Sequence, residues 1–390
     1  MWVGRMIIVA TGVALLLPAS AVASTVSVQA EGEHNEVFYE AGPGEQNRLT
    51  VSSDGAVVTV RDPEVEVEVG PGCASVTDHR ATCNLPGFGT VNAELRGGAD
   101  SVRANGAMTI LDAEGGAGSD RLIGGPLHDR LDGGPGPDLL KGRGGPDTAS
   151  YVGRSDDLRI TLGDGNRNDG GPADGPLRDR LVGVAFVSGG DGDDVLVGDA
   201  GENSLFGAAG RDVLRGLGGD DDLIGGDGGD RAYGGNGADL FPGSGGEDRA
   251  FGGRGPDHFQ AGSPGNGADL FAGGRGHDVA QFSFGHNLVT LDGKANDGPC
   301  ADPGCTFSDE DDNVKGTEEL QMAPGNDVLI GSKRDEVFRP SGGADIVRAK
   351  GGNDTIHVTI DGDPDVYNCG PGIDAIIGTP DVFDTNPNCE

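Results

Sequence analysis

The chain has 390 residues, of which 75 are glycine and 22 are proline, whereas only one Trp and four Tyr are present. So little bulky apolar material excludes a conventional compact core and leaves a solenoid of short repeats or a disordered chain. The formal net charge of −36 argues against nucleic-acid binding and for cations as ligands.

Residues 1–23 are predicted to be a secretory signal peptide. A basic residue, Arg5, precedes an apolar stretch at 6–17 and a small-residue Ala-Val-Ala sequence at 21–23. The alternative, a retained membrane anchor, is disfavoured because the stretch is too short for a comfortable span. We therefore expect a mature protein that starts near Ser24, has no membrane span, and is secreted into the extracellular space.

Residues 24–93 are predicted to be rich in β-structure. Valines recur in short alternating stretches, such as 57–60 and 65–69, between glycine and proline turns. An open solenoid end would expose strand edges that invite aggregation. We expect this region to form an N-terminal cap or the first irregular coils.

From residue 94 onward a nine-residue repeat dominates the sequence. It occupies three blocks, 94–150, 189–281 and 323–377, and reads GGAGSDRLI from Gly115 and GGDGDDVLV from Gly189. Aspartate recurs at the sixth position, where Asn203, Glu336 and Asp365 also occur. The candidate metal ligands at this position are Asp120, Asp129, Asp138, Asp147, Asp194, Asp212, Asp221, Asp230, Asp239, Asp248, Asp257, Asp269, Asp278, Asp327, Asp345, Asp354 and Asp374.

The repeat fits the pattern GGxGxDxUx, where U is a large aliphatic residue, and the chain therefore resembles the calcium-binding RTX family. The resemblance implies an all-β fold, a right-handed parallel β-roll in which GGxGxD forms a turn, xUx forms a short strand, and two nonapeptides complete one coil. Glycines at the first, second and fourth positions are expected to permit positive φ angles and close backbone approach. The U position supplies one inward side chain per strand, as at Leu122 and Leu196. Ala232 and Ala250 also occur there, so we expect a thin core.

Stacked coils lie about 4.8 Å apart, so the sixth-position carboxylates are expected to line the two edges of the roll. One edge should carry Asp194, Asp212, Asp230 and Asp248, and the opposite edge Asp221, Asp239 and Asp257. Two carboxylates roughly 5 Å apart repel by about 3 kcal/mol at an effective dielectric near 20, and a cation between them reverses the sign. Oxygen ligands spaced by flexible glycine favour Ca²⁺ over Mg²⁺ and over transition metals. The alternative is a solvated acidic face on a disordered chain.

Two inserts, 151–188 and 282–322, interrupt the repeats and share the sequence DGxxNDG, at 164–170 and 292–298. We interpret them as one duplicated unit, made of a strand, a polar loop and a second strand that re-enters the solenoid. Their oxygen-rich loops could bind a further calcium or another ligand, or form turns stabilised by their own side chains. The acidic run at 308–312 lacks the spacing of a calcium loop and is predicted to be a solvated loop.

The six cysteines of an exported chain suggest disulfides. Local pairing is the simplest of fifteen possible connectivities, and a metal-thiolate site is the alternative. The expected pairs are Cys73 with Cys83, Cys300 with Cys305, and Cys369 with Cys389. The last pair would close a C-terminal cap at 378–390.

Motifs of known enzyme classes are missing from the sequence. HExxH, GxSxG, GxGxxG and the P-loop are all absent, and the seven histidines are scattered over variable repeat positions. The sequence therefore predicts a secreted, non-enzymatic protein whose partners are calcium ions. Two alternatives use the same scaffold: an extracellular adhesin or matrix protein that binds cell-surface or matrix glycans, and, less favoured, a β-solenoid carbohydrate lyase or epimerase.

Overall fold

The computed structural model of the chain describes residues 24–31, 34–85, 89–106, 109–175, 178–261, 269–283, 286–291, 298–300, 313–380, 384, 385 and 389. Over these residues the fold is built from short β-strands, with a single turn of 3-10 helix at Pro172–Asp174. This confirms the all-β solenoid predicted from the sequence. No helix within the described ranges has the length and apolar character needed to cross a bilayer.

The strands of the N-terminal region and first repeat block are β1 (Ser24–Glu31), β2 (His34–Glu40), β3 (Arg48–Asp54), β4 (Val57–Arg61), β5 (Val67–Val69), β6 (Cys73–Thr77), β7 (Arg80–Asn84), β8 (Gly89–Glu94), β9 (Gly97–Gly98), β10 (Ser101–Asn105), β11 (Thr109–Glu114), β12 (Ala117–Gly118), β13 (Arg121–Ile123), β14 (Arg130–Asp132), β15 (Leu139–Lys141) and β16 (Thr148–Ser150). Those of the first insert are β17 (Arg159–Thr161), β18 (Arg180–Val182) and β19 (Phe186–Ser188).

The strands of the second block are β20 (Val195–Val197), β21 (Ser204–Ala209), β22 (Val213–Gly218), β23 (Asp222–Asp227), β24 (Arg231–Asn236), β25 (Leu240–Phe241), β26 (Arg249–Arg254), β27 (His258–Gln260), β28 (Leu270–Arg275) and β29 (Val279–Phe282). The remainder are β30 (His286–Thr290), β31 (Gly298–Cys300), β32 (Asn313–Lys315), β33 (Glu319–Met322), β34 (Val328–Ile330), β35 (Val337–Arg339), β36 (Ile346–Arg348), β37 (Thr355–His357), β38 (Val366–Asn368) and β39 (Ala375–Ile377).

Successive strands alternate between two parallel walls. One wall is a single 17-stranded sheet from β5 and β1 at one end to β39 at the other, and we call it the continuous wall. The opposite wall, the divided wall, consists of three sheets of eight, seven and five strands. Pairing joins each residue to the one 18 positions later, as in Val195 with Val213 and Val213 with Arg231. Two nonapeptides therefore complete one coil, as expected.

The core lies between the walls and receives the eighth residue of each repeat. Leu196 and Leu214 are fully buried, and the small residues Ala232 and Ala250 occupy the same wall two and three coils later. There the opposite wall supplies larger side chains, Phe241 and Phe259, whose rings stack with centroids 4.8 Å apart. The two walls thus compensate for each other in side-chain volume, which keeps the interior packed.

Several strands of the second block are six residues long, whereas the repeat pattern predicts three. Backbone pairing continues past the inward residue into the following turn, as between Ala208 and Gly226 and between Leu217 and Gly235. Turns of equal length stack in register from coil to coil, so the parallel hydrogen-bond ladder extends from the strands into the turns.

The N-terminal strands join antiparallel pairs to the parallel walls. β1 pairs with β2, and β3, β4, β7 and β6 form an antiparallel sheet, while β2 and β3 pair in parallel with β8 and β10. The Cys73–Cys83 disulfide links β6 to β7.

At the C-terminal end, the Cys369–Cys389 disulfide ties the chain terminus to the last coil. The Thr385 N–H donates to the Asp365 carbonyl at 2.8 Å, and its own carbonyl accepts the Tyr367 N–H. Two of the three expected disulfides are confirmed. The third involves Cys305, which lies outside the described residues.

The two inserts have one topology. In each, the first strand pairs forward with the next block, β17 with β20 and β30 with β34. The second strand pairs backward, β18 with β15 and β32 with β28. This is the duplicated strand-loop-strand unit predicted from the sequence. The divided wall is interrupted at both inserts, whereas the continuous wall runs past them through β16–β19 and β29–β33.

Candidate metal sites along the turns

The sixth residues of the repeats form two rows, one along each edge of the roll, and every candidate ligand named from the sequence lies in one of them. The first row contains Asp100, Asp120, Asp138, Asp179, Asp194, Asp212, Asp230, Asp248, Asp269, Asp327, Asp345, Asp365 and Asp384. The second contains Asp129, Asp147, Asn203, Asp221, Asp239, Asp257, Asp278, Glu318, Glu336, Asp354 and Asp374. The predicted division between the edges is what the structure shows.

One oxygen of most row carboxylates accepts a backbone N–H of the preceding coil. Asp212 Oδ1 accepts the Asp194 N–H at 2.7 Å, and Asp230 Oδ1 accepts the Asp212 N–H at 2.8 Å. The same bond recurs along both rows at a separation of 18 residues wherever the repeat is regular. These bonds orient the carboxylates that share them in the same way.

The second oxygen of most row carboxylates is buried and lacks a hydrogen-bond partner among the described residues. The carboxylates with such an Oδ2 atom are Asp100, Asp120, Asp138, Asp147, Asp212, Asp221, Asp230, Asp239, Asp257, Asp278, Asp345 and Asp354. An unsatisfied buried polar atom costs about 1–3 kcal/mol, more when charged. So many such oxygens in register are suited to a positively charged ligand that repeats with the coil.

The first glycine of the repeat leaves space beside this oxygen. A Cβ placed on Gly115 would lie 2.6 Å from Asp120 Oδ2 and 2.7 Å from the Gly133 carbonyl oxygen of the next coil. Calcium–oxygen distances are about 2.3–2.6 Å. The carboxylate and the main-chain carbonyl therefore converge beside this glycine, close enough to each other for one cation to contact both.

The same three-part arrangement recurs through the first two blocks, although Oδ2 of Asp129 and of Asp194 also accepts an N–H of its own turn. Its members, given as first glycine, carboxylate and carbonyl, are Gly124, Asp129 and Gly142; Gly142, Asp147 and Gly183; Gly189, Asp194 and Gly207; Gly207, Asp212 and Gly225; Gly216, Asp221 and Gly234; Gly252, Asp257 and Gly273; and Gly273, Asp278 and Gly316. Among the described residues, no three His, Cys, Asp or Glu side chains form a metal-binding group by themselves. Each arrangement instead pairs one carboxylate with a main-chain carbonyl, an oxygen donor set that suits a hard, flexibly coordinated cation such as Ca²⁺.

The three glycines of the repeat divide the two expected roles, positive φ and close approach, between them. In the repeat at 225–233, φ is 107° at Gly226 and 138° at Gly228, whereas Gly225 does not adopt a positive φ. A Cβ on Gly225 would instead clash with Asp230 Oδ2. The first glycine is thus required for space beside the carboxylate, and the others for turn conformation.

Burial raises the pKa of many row carboxylates, among them Asp138, Asp212 and Asp345. The pKa rises to about 7 for Asp212, to about 8 for Asp345 and to about 9 for Asp138. Loss of solvent is the main cause, and neighbouring row carboxylates add to it, whereas the backbone N–H bond acts in the opposite direction. Near neutral pH the row therefore strongly favours a bound cation, either a proton or a metal.

Asp179 belongs to the first row although it lies in the first insert, and the sequence analysis missed it. Its Oδ1 accepts the Asp138 N–H at 2.8 Å, and its Oδ2 accepts the Tyr151 hydroxyl at 3.1 Å. A usable signal was present: residues 179–183 read DRLVG, close to DRLIG at 120–124.

A buried arginine fixes the first insert to the end of the first block. The Arg154 guanidinium donates to both carboxylates of Asp156 and Asp174, with nitrogen–oxygen distances of 3.0–3.2 Å, and to the Gly134 carbonyl at 3.3 Å. The Asp174 side chain is fully buried, and that of Arg154 is 11% exposed. At this break in the divided wall, the Arg154 guanidinium therefore satisfies the Gly134 carbonyl and the Asp156 and Asp174 carboxylates.

Replacing Arg154 by glutamine is expected to lower the thermal unfolding midpoint even at saturating calcium. The substitution leaves the buried Asp174 without its cation, and breaking such a pair costs about 3–5 kcal/mol. Arg167→Gln, an exposed change in the same insert, is the control and should leave the midpoint unchanged. Equal midpoints for both variants, measured by circular dichroism, would show that the Arg154 ion pairs do not contribute to the stability of the fold.

The first DGxxNDG loop forms the self-stabilised turn that was one of its two interpretations. The Asn166 N–H donates to Asp164 Oδ1 at 2.8 Å, and the Asn168 side-chain amide donates to Asp164 Oδ2 at 3.0 Å. Asp169 is buried and accepts the Thr161 N–H at 2.7 Å. Most of the second loop and the acidic run at 308–312 lie outside the described residues.

The repeats match a known family model. A model of four copies of the RTX calcium-binding nonapeptide repeat matches residues 114–149, 188–223, 215–241, 224–259, 242–280 and 323–356. This confirms the resemblance drawn from GGxGxDxUx. No curated protein matches the chain.

Proposed function

Because the chain is a calcium-binding β-roll protein with RTX repeats in several copies, we propose that it is exported and acts without catalysis, with calcium between its turns stabilising the roll. The signal-like sequence at 1–23 supports export. Extracellular calcium modules often have dissociation constants on the order of 10⁻⁴–10⁻³ M. Such weak sites would leave the chain unfolded at low calcium and fold it outside the cell.

The observation that carries this proposal is the recurring pair of a buried, unpartnered Oδ2 atom and a carbonyl oxygen beside the first glycine. Bound calcium would supply positive charge to both oxygens and join two coils. Because the unfolded chain lacks the paired donors, the binding free energy would become folding free energy.

The arrangement of the carboxylates supports a structural rather than a catalytic role. Most follow the register of the turn, and one oxygen is already held by a backbone N–H of the neighbouring coil. Glycan-acting solenoid enzymes instead gather carboxylates and basic groups on one face.

A calcium titration of the mature protein from a calcium-free start tests the proposal. Far-UV circular dichroism should show a gain of β signal in the sub-millimolar to millimolar range, whereas the same concentrations of Mg²⁺ should give much less. A β signal that is complete without calcium and indifferent to its addition would contradict it.

The double variant Asp212→Asn, Asp230→Asn tests whether the row carboxylates bind the calcium that folds the chain. We expect fewer calcium ions per chain by calorimetry and a midpoint shifted to higher calcium. The control Asp191→Asn, Asp227→Asn removes the same charge at exposed third positions of the same block and should retain both values. Equal losses in the two double variants would mean that bulk charge, not the row, governs binding.

A further inference from the structure

The two walls differ sharply in charge. Strands of the divided wall contain Arg48, Arg61, Arg80, Arg103, Arg121, Lys141, Arg159, Arg180, Arg215, Arg231, Arg249, Arg254, Arg275, Lys315 and Arg348. Against these, the described strands of this wall contain one acidic residue, Asp54, at a hairpin end. Strands of the continuous wall contain Arg130 and Arg339, together with Glu31, Glu36, Glu40, Glu68, Glu94, Asp112, Glu114, Asp132, Asp222, Asp227 and Glu319. In a chain of net charge −36, the outer surface of the divided wall is basic.

The arginines at the centre of this basic surface lie next to one another. Arg231 pairs in register with Arg249, and Arg254 with Arg275, and all four side chains are exposed. Like charges directly opposite each other on neighbouring strands are destabilising. A bound anion would remove that repulsion, so the surface fits an anionic partner.

A cleft lies where the preceding turns meet these strands, and it is lined by three arginines, one glutamate and three glycines. It has a volume of about 540 Å³, and its charged lining residues are Arg211, Arg231, Arg249 and one carboxylate, Glu247. Three cations against one anion give the cleft a positive balance. It is large enough to hold a charged substituent of a polymer that runs along the wall.

An aromatic pair lies on the same two strands as Arg231 and Arg249, β24 and β26. The rings of Tyr233 and Phe251 stack with centroids 5.0 Å apart and planes 8° from parallel. The Arg215 guanidinium carbon lies 5.7 Å from the Tyr233 ring centroid. Both rings are only half-buried, so they offer a flat apolar surface flanked by cations.

We propose that the divided wall binds an acidic polysaccharide. Its carboxylate or sulfate groups would meet the guanidiniums of Arg215, Arg231 and Arg249, and the C–H faces of its sugar rings would pack on Tyr233 and Phe251. Strand spacing, about 4.8 Å, is close to the advance of one sugar along an extended chain. The wall therefore presents one row of side chains per sugar.

Charge favours a polysaccharide over a nucleic acid. Rows of turn carboxylates border the wall on both edges, and duplex DNA carries one charge per about 1.7 Å of its axis. That dense charge would meet both acidic edges, whereas a polysaccharide with about one charge per sugar can keep its charges over the wall.

Calorimetry of the full mature chain with oligogalacturonate, at fixed saturating calcium, tests the proposal. Arg231→Gln, Arg249→Gln should weaken binding by at least about tenfold, as expected when charge-assisted hydrogen bonds are lost. The control Arg167→Gln, Lys333→Gln removes two exposed cations outside the wall and should retain the affinity. Equal affinities of the two double variants would overturn the proposal.

Three further measurements separate this proposal from others. Circular dichroism of each variant in calcium keeps a folding failure distinct from a binding failure. Affinity of the unaltered protein must fall as salt rises, and a salt-independent affinity would overturn the proposal without any variant. Tighter binding of a DNA duplex than of oligogalacturonate would also overturn it.

Discussion

Replacing Gly216 by alanine is expected to destabilise the roll by about 1–3 kcal/mol, as overpacking does, and to remove one calcium per chain. The added Cβ would clash with Asp221 Oδ2 and lie 2.8 Å from the Gly234 carbonyl oxygen. Gly216 does not adopt a positive φ, so alanine can take its backbone conformation. The effect would therefore arise from the space beside the ligand oxygens. Calcium calorimetry and thermal unfolding measure the two losses.

Gly218→Ala is the matched control, since it places the same methyl group two residues later in the same turn. There the Cβ would lie 3.6 Å from its nearest neighbour, the Asn236 carbonyl oxygen, which is an ordinary contact. Stability and calcium stoichiometry should stay close to those of the unaltered protein. Full calcium occupancy in the Gly216 variant would show that the metal does not use this space.

Acidification is expected to stabilise the calcium-free roll. The pKa of a free aspartate is about 3.9, whereas burial raises it to about 7 in Asp221 and Asp354 and to about 8 in Asp345. The folded chain therefore binds more protons than the unfolded chain between about pH 4 and pH 8, so its free energy of unfolding falls as pH rises over that range. In buffer stripped of calcium, the β signal and the unfolding midpoint should be higher at pH 5.5 than at pH 8.

Calcium should reverse this order. Bound carboxylates must be deprotonated, so protons compete with the metal, and the calcium-loaded roll should be more stable at pH 8 than at pH 5.5. The sequence pI is about 4.3, so both conditions lie above the range where low net charge favours precipitation. A calcium-free midpoint that rises with pH would contradict the burial of the row carboxylates.

The repeat itself accounts for most of what could be predicted. A strict period of nine gave the inward residues, such as Leu122 and Leu214, and the two edges on which Asp212 and Asp221 lie. These features depend on local spacing, and stacking copies them from coil to coil.

Features that depend on long-range closure could not be predicted in this way. Asp179 joins the first row by a bond to Asp138, 41 residues away, across an insert that destroys the period. Leu158 takes the sixth position of a turn at 153–161, where its N–H donates to Asp194 Oδ1, although it has no carboxylate to mark it. The charge difference between the walls was also hidden, because it depends on which strands share a sheet.

Because one wall is continuous and the other is divided, repeat blocks can be added or removed at the inserts without breaking the whole solenoid. Among the described residues, the continuous wall alone keeps a parallel strand ladder from one block to the next at each insert, through β16–β19 and β29–β33. At the first insert the divided wall is joined only by isolated antiparallel bridges at Asp169 and Gly170. A duplicated block can therefore be inserted, or a loop lengthened, at the divided wall. The strand ladder of the continuous wall still holds the neighbouring blocks in register. Lineages that vary this protein should gain or lose whole blocks at the inserts and conserve the coil length within them.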